Sequence, residues 1–399
     1  MAKPKLLFVS PQFLFPMDAG GKIRTANILK RLKGGAFEVT LAAPTTATQL
    51  ETHQSSIDAI CDRYVYWAPS RSGSKAMRFI GSLASALPMS VWTDATTDAK
   101  AAISAAHDDG PDLVVFDYVH SASLAPEDAP GAKRIMFAHN VETEILRRQR
   151  DLAGGAMKAA FALEAAKMAQ FEKSVAARMD AVIAVSERDA VAFAQDFGAR
   201  RAVPIPTGVD LDFFEYAPPP QSADVVFMGS MDWRPNVDGV IWFLENVWPA
   251  VRTARPDATF RIIGKNPPPQ LEAMAAASGC SVTGFVDDVR DYARAAAFVT
   301  PLLAGGGTRI KVFEAMALGA PVVSTGLGVE GLELSPGVEY LEANAPKEFA
   351  ESVIALLGDH ELRLRLAETA RRRVEDRHSQ DHAARVFERH CLDVVEGVR

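Results

Sequence analysis

Residues 305–325 read GGGTRIKVFEAMALGAPVVST. Three glycines run into an amphipathic segment carrying Thr308, Arg309, Lys311 and Glu314 in its first turns, followed by an apolar Gly-Ala-Pro-Val-Val run. Glycines let a backbone approach an anion closely, the unpaired N–H groups of a helix start point at it, and two fixed cations add charge. Glu314 follows Lys311 by three residues, on nearly the same helix face and one turn deeper, where a carboxylate accepts hydrogen bonds from a ribose diol. The pattern predicts a bound nucleotide, with Gly306, Gly307 and Thr308 at its phosphates. No Gly-Lys-Ser/Thr follows four residues after a glycine here, so a Walker loop and an ATPase are disfavoured.

On either side, short β-rich apolar runs alternate with helical periodicity, the pattern of parallel α/β sheets. Strands are expected at 5–9, 38–42, 62–67, 112–116, 133–138, 181–185 and 202–204. A second set is expected at 224–228, 259–263, 281–283, 297–301, 321–324 and 339–341. Two sheets follow, divided near 205–222, where PIPTGVDLDFFEYAPPPQSAD concentrates proline, aspartate and glycine without sustained period. The expected division is 1–205, completed by a helix at 379–399, and 206–378. A long helix is expected at 155–178, packing Phe161, Ala165, Met168, Phe171, Val175 and Met179 into a core.

With 399 residues, 48% of them hydrophobic, the chain can bury two cores. A net charge of −7 argues against a nucleic-acid partner. The three cysteines, Cys61, Cys280 and Cys391, are too few and too scattered for a disulfide framework and fit a reducing compartment. The opening MAKPKLLFVSPQF reads as a first buried strand rather than a signal peptide, and no apolar run reaches the roughly 18 residues of a membrane span. A cytoplasmic protein is expected. One stretch, SRSGSKAMRFIGSLASALPMSVW, mixes Arg71, Lys75 and Arg78 with Phe79, Ile80, Leu83 and Leu87. It reads as core-facing amphipathicity, with peripheral contact to the inner membrane as the alternative.

The 305–325 stretch resembles the donor-binding signature of glycosyltransferase family 4, retaining enzymes of the two-domain GT-B fold, and in particular bacterial polysaccharide-type sugar transferases. Other stretches similar to that family occur in the same order: SPQFLFPMDAGGKIRTANILKRL, FAHNVETEI, AVIAVSERD, PIPTGVDLDFF, VVFMGSMDWRPNVDGVIWFLENVWP and VTGFVDDVRDYARAA. Together they cover most of the chain. The resemblance implies two Rossmann-like parallel-sheet domains facing a cleft, with the nucleotide sugar on the second and the acceptor on the first.

By that resemblance Lys311 and Arg309 bind diphosphate, Glu314 binds ribose, and His139 contacts the donor sugar. The loop after the first strand, with Asp18, Gly20, Gly21 and Arg24, approaches the phosphates and leaves room for the acceptor. Asp117 either binds acceptor at its own strand end or caps a loop, while Glu142 and Glu144 either orient a neighbour or are solvated. After the strand at 224–228, Gly229 opens a loop in which relatives carry an arginine and then a lysine on the diphosphate. Here those places hold Ser230 and, near the second, Arg234, which shifts more of the charge onto Arg309 and Lys311. Asn236 beside them reads as an N-cap for a helix at 237–251. The Gly284-Phe285-Val286-Asp287 loop resembles the one whose backbone reads the nucleobase, which leaves uracil and guanine undistinguished. A second departure is the family's Glu-x7-Glu, which ends at Glu314 but begins here at Gly306.

Asp210-Leu211-Asp212 has the letters of a metal-binding Asp-x-Asp, but it lies in the expected linker, and GT-B enzymes generally work without metal. His378 and His382 have i, i+4 spacing without a neighbouring catalytic glutamate, so zinc is disfavoured. No Gly-x-Ser-x-Gly elbow occurs. The expected activity is retaining, metal-independent transfer from a nucleoside diphosphate sugar, with no resident cofactor, to a saccharide or lipid-linked saccharide. The alternatives are a nucleotide-sugar epimerase and an inert nucleotide-sugar-binding assembly subunit.

Overall fold

The computed structural model describes residues 2–69, 81–83, 85–126, 131–304 and 309–398. Gly306, Gly307 and Thr308 lie outside the described residues, as do Arg71, Lys75, Arg78, Phe79 and Ile80 of the amphipathic stretch. Of that stretch's remaining apolar members, Leu87 packs against the core and Leu83 is exposed. The chain divides into two compact units, Met1–Thr207 with Ala383–Arg399, and Gly208–His382.

The first unit is built on seven parallel strands in the order β3-β2-β1-β4-β5-β6-β7. They are β1 (Lys5–Val9), β2 (Glu38–Pro44), β3 (Arg63–Trp67), β4 (Leu113–Asp117), β5 (Lys133–Phe137), β6 (Ala181–Ala184) and β7 (Ala202–Pro204). Every residue of β4 is buried, as a strand covered on both faces by helices requires. Side chains alternate between faces. Leu6, Phe8, Leu113 and Val115 meet Ile28 and Leu32 of the helix Gly20–Leu32 and Phe387 and Cys391 of the terminal helix Gln380–Glu396. Leu7, Val9, Val114 and Phe116 meet Met168, Phe171 and Val175 of the helix Gly155–Arg178. Chain order reverses between β1 and β4, so the loops leaving their carboxyl ends part and open a crevice there.

The second unit holds six parallel strands in the order β10-β9-β8-β11-β12-β13. They are β8 (Asp224–Met228), β9 (Thr259–Ile263), β10 (Ser281–Val282), β11 (Ala297–Thr300), β12 (Val322–Ser324) and β13 (Leu341–Glu342). Val225, Phe227 and Val299 pack on Val240 and Phe243 of the helix Arg234–Asn246. Val226, Phe298 and Val322 pack on Val312, Phe313 and Met316 of the helix Ile310–Leu318. Order reverses between β8 and β11, the second switch point.

All the expected strands form, with ends displaced by a residue or two. The expected helix at 237–251 is instead two, Arg234–Asn246 and Trp248–Ala254, with Pro249 in the first turn of the second. Proline lacks the N–H that would continue the first helix. Asn236 is not an N-cap. Trp233 holds that place without a side-chain cap, and Pro235 fits the first turn.

Candidate active site

At the first switch point the crevice is organised around a buried carboxylate. Asp117 closes β4 with 0% exposure. Ser10, which follows β1, donates to its Oδ2 at 2.8 Å, and Thr25 donates to Oδ1 at 2.9 Å. His139, two residues past β5 and 8% exposed, places Nε2 2.7 Å from Oδ1. The imidazole stacks on Tyr118 with ring centroids 4.1 Å apart and meets the edge of Phe137 at 5.0 Å. Burial pulls His139 below the ordinary histidine range, against the opposing pull of Asp117. Asp117 is therefore a buried partner of His139, inaccessible to an acceptor.

Tyr118 explains one of the two glycines. Its backbone is left-handed, with φ 59°, which is uncommon for a tyrosine and costs conformational energy. That turn lays the ring on His139 and carries the hydroxyl to Gln12 Nε2 at 3.2 Å, hard against Gly21. A Cβ at Gly21 would lie 1.7 Å from the hydroxyl oxygen, whereas one at Gly20 would meet nothing within 4 Å. Asp18 is exposed and accepts from Lys22 at 2.9 Å.

Arg24 departs from the expectation of a phosphate or acceptor group. It is 2% exposed and lies over the Phe137 ring. It donates to the carbonyls of Ala138 at 2.7 Å, Ala184 at 3.3 Å and Ile205 at 2.6 Å. The guanidinium thus ties together the carboxyl ends of β5, β6 and β7, and burial lowers it to about 9, which still leaves it charged at neutral pH. Glu172 takes over the N-cap of the helix Glu142–Leu152, accepting from the backbone N–H groups of Glu142 at 2.8 Å and Thr143 at 3.0 Å. Burial and this neighbouring carboxylate push Glu142 up to about 7, while Glu144 pairs with Arg148 and Arg188 at the surface.

In the second unit, Lys311 and Glu314 share one face of the helix Ile310–Leu318 at the carboxyl end of the sheet. Lys311 Nζ donates to Asn236 Oδ1 at 2.7 Å and sits over the Phe227 ring, 4.5 Å from its centre. Asn236, 4% exposed, also donates to the Ser230 carbonyl at 2.8 Å. It fastens the lysine to the loop after β8. Gly229 leaves room for this, since a Cβ there would lie 2.6 Å from Asn236 Nδ2 and 3.1 Å from Lys311 Nζ. Burial and then Arg309 lower Lys311 to about 7, and burial raises Glu314 to about 7 against the opposing pull of Lys311. Among the described residues no hydrogen bond is made to the Glu314 carboxylate.

Arg309 occupies the N-cap in a left-handed conformation, φ 49°. Its guanidinium donates to the Leu327 carbonyl at 3.2 Å and lies 5.8 Å over Trp233. The Arg234 side chain is 81% exposed and bonded to Asp238 one turn on. Phe285 is exposed, and Val286 packs against the core. Asp210 accepts from the backbone N–H groups of Asp212 and Phe213, a local turn. Sequence reasoning missed Tyr118, Ser10, Thr25 and the role of Asn236. Only the position of each just after a strand or in a helix's first turns marked them.

Comparison with known proteins gives two adjoining family matches. The model described as Glycosyltransferase Family 4 matches residues 19–213, and that described as Glycosyl transferases group 1 matches 222–359. The chain belongs to glycosyltransferase family 4. This glycosyltransferase is 22% identical over 360 residues to an uncharacterized 44.6 kDa protein in the cps region of Klebsiella pneumoniae, covering 88% of this chain and 90% of that one. Its fold matches sucrose-phosphate synthase from Thermosynechococcus elongatus with a TM-score of 0.63 at 15% identity, over 99% of this chain and 100% of that one. Anabaena Alr3699/HepE, solved in complex with UDP and glucose, matches with a TM-score of 0.62 at 15% identity, over 98% of this chain and 100% of that one. Two parallel-sheet Rossmann-like domains of this kind are the GT-B fold. Among the described residues no helix is long and apolar enough to cross a membrane.

Proposed function

We propose that the enzyme moves a sugar, with retention, from a nucleoside diphosphate sugar to a hydroxyl of a saccharide or lipid-linked saccharide. The observation that carries this reading is Lys311, sequestered at the end of a parallel sheet on the first turn of a helix and held by a neutral asparagine. A half-buried amine so placed has lost much of its water without gaining a carboxylate hydrogen bond, and a diphosphate arriving there favours the charged form that burial opposes, which suits it to that leaving group. Arg309 beside it adds charge, the helix start adds its N–H groups, and Glu314 one turn on accepts from ribose. Gly229 gives the phosphates a close approach. The loop of Phe285 and Val286 takes the base, and exposed Arg234 joins the diphosphate only by releasing Asp238. In the first unit His139 meets the sugar.

A structural neighbour solved with UDP and glucose supports a uridine nucleotide as the first donor to try. The Klebsiella relative's cps region supports a role in polysaccharide synthesis, which would place the work at the cytoplasmic face of a membrane. Thermal-shift screening of UDP-, GDP-, dTDP- and ADP-sugars tests the donor, because a ligand that binds the native state raises its melting temperature. Turnover with and without saccharide then separates the readings. Transfer requires acceptor, an epimerase does not, and an inert subunit stabilises without turning over.

A further inference from the structure

We propose that Asp117 is a positioning residue that fixes His139 as its Nε2–H tautomer, so that Nδ1 is a hydrogen-bond acceptor and the substrate group it meets is a hydroxyl. The part concerning substrate rests on the glycosyltransferase reading; the tautomer does not.

The protons available around the carboxylate decide the tautomer. Asp117 is fully enclosed, and an ionised carboxylate can only accept. Ser10 supplies a proton to Oδ2 at 2.8 Å and Thr25 supplies one to Oδ1 at 2.9 Å. Thr25 Oγ1 also lies 3.4 Å from His139 Nε2, but its single proton takes the shorter path to the carboxylate. Nε2 itself stands 2.7 Å from Oδ1. At that distance a lone pair on Nε2 would face a carboxylate lone pair, so Nε2 carries the hydrogen. Burial favours the uncharged imidazole, which leaves Nδ1 without a proton.

The ring cannot easily turn to exchange its nitrogens. Tyr118 covers one face at 4.1 Å and the Phe137 edge stands at 5.0 Å. Nδ1 points along the first turn of the helix Gly20–Leu32, where a Cβ on Gly21 would come within 3.5 Å of it. No described residue hydrogen-bonds Nδ1. An acceptor nitrogen there repels phosphate, carboxylate and carbonyl oxygens and attracts a hydroxyl, which is the group a sugar offers. The partner of the acceptor atom is thus chosen by Asp117, Ser10 and Thr25, all three fully buried.

The test is heteronuclear NMR of ring nitrogens in protein labelled with 15N-histidine, with His139→Gln to assign the signal. Wild type should show a protonated Nε2 and an unprotonated Nδ1 at neutral pH, and Asp117→Ala should show an averaged mixture of tautomers. Donors that turn over among UDP-, GDP-, dTDP- and ADP-hexoses should lose on the order of 10²-fold in kcat in Asp117→Ala, the scale of a misaligned reacting group. Nucleoside diphosphate Kd should change less than about twofold. A protonated Nδ1 in wild type, or an Asp117→Ala spectrum and kcat matching wild type, overturns the proposal. If Asp117→Ala does not fold, the wild-type spectrum alone decides the tautomer. If no hexose donor turns over, the functional reading fails while the spectrum still judges Asp117.

Discussion

Gly21→Ala is expected to impair the enzyme, although helix propensity alone argues the other way. Alanine is favoured over glycine in a helix by up to about 1 kcal/mol, and Gly21 lies in the first turn of the helix Gly20–Leu32. The new methyl, however, would sit 1.7 Å from the Tyr118 hydroxyl oxygen and 2.8 Å from its Cζ. Ordinary contact needs roughly 3.5 Å, so the tyrosine must retreat by something near 1.5–2 Å. It is held by Gln12 at 3.2 Å, by the His139 ring at 4.1 Å and by its own left-handed backbone. Overpacking of this kind costs about 1–3 kcal/mol, which leaves a net loss of roughly 0–2 kcal/mol. The larger effect is on rate. If the stacked imidazole follows the tyrosine by about 1 Å, kcat should fall on the order of 10²-fold. Gly20→Ala is the control, because its methyl would meet nothing within 4 Å. Tyr118→Phe in the Gly21→Ala background should restore part of the rate. Thermal unfolding and initial rates of these variants decide it. A Gly21→Ala enzyme as stable and active as Gly20→Ala would show that the Tyr118 contact does not constrain this position.

Lys311→Ala should lower kcat by on the order of 10²–10³, toward the larger end because Ser230 stands where relatives carry a cation, and Lys311→Arg should recover only part of it; near-normal steady-state turnover in Lys311→Ala would move the donor site elsewhere. His139→Ala should slow transfer strongly while calorimetry finds nucleoside diphosphate affinity nearly unchanged, and equal losses in both would place His139 at the nucleotide. Activity should survive EDTA, and loss of turnover that magnesium or manganese restores would show a metal requirement. His378 stacks on Phe313 at 3.9 Å and is lowered to about 4, chiefly by burial and then by Arg373. The unfolded chain takes up its proton near 6.5, so this stability is fully present above that pH and is lost as pH falls toward 4. Allowing for partial exposure, the loss is about 1–2 kcal/mol. Urea melts at pH 7 and pH 4.5 should show a smaller difference in His378→Gln than in wild type, and equal differences would assign the acid sensitivity to other groups.

What the amino-acid sequence determined by itself was whatever is local. Strand and helix periods depend on neighbours a few residues apart, so β4 and the helix Gly155–Arg178 were legible before any coordinates. The Lys311–Glu314 spacing was legible for the same reason, since a three-residue step on a helix always shares a face. The tertiary structure decided the partners. By resemblance Arg24 belonged to a loop on the phosphate and acceptor side, yet the carbonyls that claim it belong to Ala138, Ala184 and Ile205, far along the chain. Asn236 looked like a cap because its letters suit one, but Trp233 occupies that place and Lys311, 75 residues away, takes its side chain. Gly21 was expected in a loop that approaches the phosphates, and only the fold shows Tyr118 coming against it from the end of β4. Buried polar groups must find partners wherever the fold brings them, and those partners came from switch points where distant strands end side by side.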